Sequence, residues 1–164
     1  MKKFSFLIFL VQPILLVGMF FYAYMPIWLG DDVFIKAQGY DPRDFFRGNY
    51  VHLSYDFNQM DVNVSESYSN KIYEIYAILE KDGELYKTSK ISLEKPKDGI
   101  YISGKYDYLS SFGVEKYFQS KDKALKLEKK LMDSEFEAIA HLKIYKGDAR
   151  LINIELVKIE KSNK

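Results

Sequence analysis

The chain has 164 residues, with 24 basic and 23 acidic side chains and no cysteine. That length holds one domain of ordinary size. The missing thiols exclude disulfides, zinc ribbons and cysteine nucleophiles, and a nearly neutral balance with no arginine-rich segment argues against nucleic-acid binding.

In chain order the first element is apolar. Residues 4–30, FSFLIFLVQPILLVGMFFYAYMPIWLG, carry no charge, and about 20 apolar residues suffice to cross a bilayer as a helix. A transmembrane anchor over residues 1–30 is therefore expected. A secretory signal peptide is the competing reading, but the run exceeds the roughly 7–15 residues of a signal core and no small-x-small cleavage site follows it. Tyr22, Tyr24 and Trp28 suit the headgroup layer at the far end of the span. Lys2 and Lys3 favour a cytoplasmic amino terminus, placing the carboxyl-terminal bulk outside the cell membrane. Pro13 reads as a tolerated membrane proline.

Short segments rich in Ile, Val, Tyr and Phe follow, separated by Gly, Asp, Asn and Ser clusters. Asp32 to Gln38 predicts a first strand. Asn49 to Phe57 predicts a second, its alternation turning Val51, Leu53, Tyr55 and Phe57 to the core and Tyr50, His52, Ser54 and Asp56 outward. Ile72 to Lys81 and Leu85 to Glu94 flank an Asp82-Gly83-Glu84 turn, a strong hairpin signal. Ile100 to Tyr106 is a further strand after the polar turn at Pro96. Phe136 to Tyr145 and Arg150 to Lys158 form a closing hairpin around Lys146-Gly147-Asp148. Between them, Ser120 is a suitable N-cap for a helix whose Ala124, Leu127 and Leu131 recur on one face beside Leu125 and Met132. The lysines 121, 123, 126, 129 and 130, interleaved with Asp122 and Glu128, form its solvated face. Tyr73, Tyr76, Tyr101, Tyr106 and Tyr108 read as sheet-face residues with their hydroxyls near water. His52 and His141 read as ordinary strand residues, so no metal or cofactor is expected.

The resulting fold expectation is α+β: a mainly antiparallel sheet or barrel-like sandwich with one packed helix, preceded by one transmembrane helix. The expected division is an anchor over 1–30, a β-rich domain over 31–159 and a frayed tail over 160–164.

One segment is dense enough to suggest a family. Asp41, Pro42, Arg43 and Asp44, then Arg47 and Gly48, precede a strand carrying Tyr50, Leu53 and Tyr55. Farther on, residues 112–118 read FGVEKYF, with Glu115 and Tyr117, ahead of the predicted helix. In these two stretches the chain resembles the GDYXXLXY family of membrane-anchored proteins, whose activity is not established. The resemblance spans roughly residues 31–157 and implies a multi-spanning membrane protein as partner. Two positions depart from the pattern: Asn49 stands where relatives carry aspartate, and Ser120-Lys121 where they carry Pro-Glu. Both changes remove a carboxylate, and with it any acid–base role there.

Asp41-Pro42 starts a turn, and Gly48 lets the chain enter the strand by a route closed to bulky residues. Arg43 and Arg47 can pair with Asp41, Asp44 or Glu115, which makes the signature a structural brace. Alternatively, the two arginines form a clamp for a small anion or carbohydrate, with Tyr50 and Tyr55 as its wall. A hydrolase built on Asp41, Asp44 or Glu115 is the third reading. The favoured one is a non-enzymatic, extracytoplasmic domain that contacts another envelope protein.

Overall fold

The computed structural model describes residues 2–39, 50–62, 72–131 and 136–158. Helix α1 runs from Lys2 to Leu29 with Pro13 and Pro26 inside it. Its Val11–Leu29 stretch is long and apolar enough to cross a membrane, and almost none of it is covered by the rest of the chain. Phe20, Phe21, Tyr24 and Trp28 contact one another near its carboxyl end, with centroids 4.4 Å apart for Phe20 and Tyr24 and 5.8 Å for Tyr24 and Trp28. Rings three, four and seven positions apart share one helix face.

Among the described residues, nine strands form one curled, half-barrel sheet. They are β1 (Asp31–Gly39), β2 (Tyr50–Tyr55), β3 (Tyr73–Asp82), β4 (Leu85–Ser92), β5 (Ile100–Asp107), β6 (Leu109–Ser111), β7 (Lys116–Phe118), β8 (Phe136–Tyr145) and β9 (Asp148–Lys158). A one-turn helix α2 (Asp56–Gln59) follows β2, and α3 (Lys121–Leu131) lies between β7 and β8.

β1 is the axis of the sheet. One of its edges pairs with β8 from Asp31 to Ala37. The other edge is divided: it meets β4 in parallel at Ile35 and β2 in antiparallel from Ala37 to Gly39. The sheet therefore forks where β1 exchanges β4 for β2. Asp56 closes the fork. Its carboxylate accepts the Thr88 N–H at 2.7 Å and the Thr88 hydroxyl at 2.6 Å, together with the N–H of Phe57 at 2.8 Å. Thr88 is the buried polar residue of the described core, and a buried N–H without a partner is costly; the carboxylate stands in for a missing strand.

Both expected hairpins form, each around a two-residue turn. Gly83 leads the β3–β4 turn at φ +67, while Lys146 and Gly147 both have positive φ, the signature of a type I′ turn. The β8–β9 turn then folds onto β5, where the Ser103 N–H donates to the Gly147 carbonyl at 2.8 Å and the Tyr101 hydroxyl to the Lys146 carbonyl at 3.2 Å. These bonds hold the sheet curled. Tyr76 and Tyr101 pack ring against ring beneath them, both buried on the sheet face; the Tyr101 hydroxyl, expected near water, is taken up by the turn.

The inner face carries Val33, Ile35, Val51, Leu53, Ile75, Ala77, Ile102, Ala140 and Leu142, all essentially inaccessible. The strand alternation read for β2 holds, with Val51, Leu53 and Tyr55 inward. The strand stops at Tyr55, however, and Phe57 reaches the core from α2. In α3, which starts after Ser120, Ala124 is buried and Leu127 and Leu131 pack on the core. Met132 lies outside the described residues.

At the junction of helix and sheet, Gly30 closes α1 by donating to the Pro26 carbonyl at 3.0 Å. A Cβ at Gly30 would collide with that carbonyl and stand 3.0 Å from the backbone nitrogen of Ile144 in β8. Two residues on, Asp32 accepts from His141 Nε2 at 2.6 Å and from Lys143 Nζ at 2.9 Å. Hydrogen bonds first from Lys143 and then from His141 hold its carboxyl below the usual aspartate range. A carboxyl depressed on folding adds stability above its unfolded value near 3.8, and that contribution disappears as pH falls through the folded value. Asp32 is half exposed, so solvent screening keeps the effect below about 1 kcal/mol. Asp32→Asn is expected to flatten the acid limb of a stability profile below about pH 4, measured by urea unfolding of the full chain in micelles.

Candidate functional site

The described part of the first signature segment packs against the second. β2 carries Tyr50, Leu53 and Tyr55 of the first, and β7 with the turn before it carries the second, paired antiparallel with Tyr50 opposite Phe118, Val51 opposite Tyr117 and His52 opposite Lys116. Just beyond the ladder, the Leu53 N–H donates to the Glu115 carbonyl at 2.8 Å. The segment before β7 turns sharply at Gly113, whose φ is +81. That turn delivers Phe112 onto Phe57, edge to face at 4.7 Å, and points the Val114 carbonyl at Tyr55.

Tyr55 is the centre of this arrangement. Its ring stacks on Phe57 at 4.9 Å, and its hydroxyl donates to the Val114 carbonyl at 3.0 Å in the interior. Its backbone N–H donates to Asn58 Oδ1 at 3.0 Å, fixing the entry into α2. Burial, and secondarily the Glu115 carboxylate, push its phenol well above the ordinary tyrosine range. At 1 % exposure Tyr55 offers no face to a solute.

The Glu115 carboxylate accepts from the Phe112 N–H and from Asn58 Nδ2, the latter at 3.3 Å. It fastens its own turn to α2. Tyr117 is half-buried against the core. Its hydroxyl accepts from Gln119 at 2.9 Å and donates to Asn153 of β9 at 3.4 Å, spanning from β7 to the far side of the sheet. Tyr50 lies on the outer face, its ring 5.6 Å from Phe118 and 5.4 Å beneath the Lys116 ammonium. Asp41, Arg43, Asp44, Arg47, Gly48 and Asn49 lie outside the described residues. Among the described residues, no group of three His, Asp or Glu side chains is arranged to hold a metal ion.

Three contributors escape a reading by sequence. Asn58 and Val114 act through a side-chain amide and a backbone carbonyl that no motif marks. Asp56 was assigned to the solvent face by strand alternation. Its position directly after a run of β-prone residues is an Asp helix-start signal, which could have revealed that the strand ends there.

The family model described as "GDYXXLXY protein" matches residues 12–154. No curated protein and no solved structure matches the chain.

Proposed function

The chain belongs to the GDYXXLXY family, and from that premise we propose that it is a membrane-anchored, extracytoplasmic, non-enzymatic domain that docks on another envelope membrane protein. The observation that carries this reading is the placement of exposed apolar side chains. Among the described residues outside α1, the large hydrophobic ones open to solvent are Ile72, Leu93, Tyr108, Leu109, Phe118, Ile152 and Val157. By strand register Phe118 and Val157 fall at the end of the β1, β2 and β8 ladders away from α1, and Ile72, Tyr108 and Leu109 flank one end of the β3–β5 pair.

Scattered exposed apolar residues need no explanation, but large ones gathered at strand ends are the usual mark of an interaction surface. Leu109 is 80 % exposed and Phe118 70 %, so neither contributes much to the core. The described parts of the signature support the same division of labour: Tyr55, Glu115 and Tyr117 brace the sheet, and Phe118 stands at the exposed apolar rim beside them. A ligand wall at Tyr50 is less well supported, because its ring is already engaged by Phe118 and Lys116.

Leu109→Glu with Phe118→Glu is expected to abolish co-purification of the partner in mild detergent while moving the Tm by no more than a degree or two, since surface changes cost about 0.5 kcal/mol or less. Recovery of the unaltered full chain only as a free monomer, from intact membranes cross-linked before extraction, would defeat the proposal.

A further inference from the structure

The fork in the sheet leaves a groove of about 570 Å³, within the range of small-molecule sites. Its floor is β1 at Lys36 and Gln38, one wall is Ser54 with Gln59 of α2, and the other is Tyr86 and Lys87 of β4. It exists because β1 changes partner between Ile35 and Ala37, so β4 and β2 diverge along that edge and leave a gap between them.

The polar groups lining it fall into two kinds. The charges are matched: Lys36 pairs with Glu137 at 2.7 Å, Lys87 with Asp82 at 3.0 Å, and Asp56 is taken up by Thr88 and the N–H of Phe57. Each ammonium has three donors and uses one in its ion pair. By contrast, Gln38, Ser54 and Gln59 make no side-chain hydrogen bond among the described residues.

Two amides and a hydroxyl both donate and accept, and a charge-balanced groove exerts little net pull on an ion. That combination matches hydroxyl groups, which also donate and accept. The half-buried Tyr86 ring adds an aromatic surface beside them. We propose that this groove binds a neutral, hydroxyl-rich ligand of the saccharide class, through Gln38, Gln59 and Ser54 with Lys36 and Lys87 as additional donors. The site is separate from the apolar rim and independent of any protein partner.

The test is saturation-transfer NMR on the full chain in zwitterionic phosphocholine micelles, because alkyl-maltoside detergents carry a competing sugar. Methyl glucoside is the probe, with glucuronate and glucose 6-phosphate as charged counterparts. Transfer to the neutral sugar is expected, weakened about tenfold by Gln38→Ala with Gln59→Ala, since two lost hydrogen bonds suffice for that factor. Lys123→Ala on the exposed face of α3 is expected to leave it unchanged. Both glutamines are surface residues, so the double variant should keep its Tm. Absence of transfer at about 10 mM sugar, binding of the charged sugars alone, or undiminished binding by the folded double variant would each overturn the assignment.

Discussion

Replacing Tyr55 by phenylalanine is expected to destabilise the protein by about 1–3 kcal/mol, and by alanine about 3–5 kcal/mol. The two figures separate two roles. Phenylalanine keeps the stack on Phe57 and removes only the hydroxyl that satisfies the buried Val114 carbonyl. Alanine also opens a cavity under the β2–β7 pairing. The pH profile gives an independent check. A phenol whose folded pKa is raised contributes stability that is fully present below its unfolded value near 10 and is lost as pH rises beyond it toward the folded value. From pH 10 upward the wild-type chain should lose about 1.4 kcal/mol per pH unit from this one group. Tyr55→Phe should lack that component. Chemical denaturation in micelles between pH 8 and 11 would measure it, and equal alkaline slopes for wild type and variant would exclude a buried, hydrogen-bonded phenol.

The second large effect is expected at Gly147. Alanine there must adopt φ near +91, unfavourable by about 1–2 kcal/mol, and its Cβ would run into Ser103 Oγ and the Tyr101 ring. Overpacking of that kind adds about 1–3 kcal/mol, for a total of about 2–5 kcal/mol. Gly83 supplies the comparison. It occupies the corresponding tight turn of the β3–β4 hairpin at φ +67, but nothing lies within 4 Å of a Cβ built on it. Gly83→Ala should therefore show the conformational component alone. The excess at Gly147 measures how strongly the β8–β9 turn is held against β5. Thermal unfolding of both variants decides the matter: equal losses would mean that the contact with Ser103 and Tyr101 contributes nothing.

What the sequence made legible was local. The hairpin turns were marked by Asp82-Gly83 and Lys146-Gly147, the inward set of β2 by strict alternation, α3 by Ala124, Leu127 and Leu131 at helical spacing, and α1 by an uncharged run. The missing pieces depend on partners far along the chain. Alternation sends Asp56 to solvent, whereas the fork brings Thr88, thirty-two positions away, to its carboxylate. β6 and β7, three residues each, are too short to carry a periodic signal and exist only as additions to β5 and β2. Tyr101 reads as a sheet-face residue with its hydroxyl near water, until the β8–β9 turn folds onto β5 and accepts it.

The signature is legible in the fold only in part. Its residue types suggest pairing of Glu115 with Arg43 or Arg47, and both arginines lie outside the described residues. In the fold the Glu115 carboxylate accepts from a backbone N–H and an asparagine amide, and the hydroxyl of Tyr55 is spent on a carbonyl. A motif of this kind records a requirement for shape as readily as one for chemistry.

The abutment of Gly30 on Ile144 has a mechanical consequence. With only that glycine between α1 and β1, there is no slack at the base, so leaning the helix swings the whole β-rich body like a mast on its step. Nine residues of β1 put the far tip about 30 Å from the pivot. A ten-degree lean would then carry the tip sideways by about 5 Å, enough to make or break the docking contact proposed above.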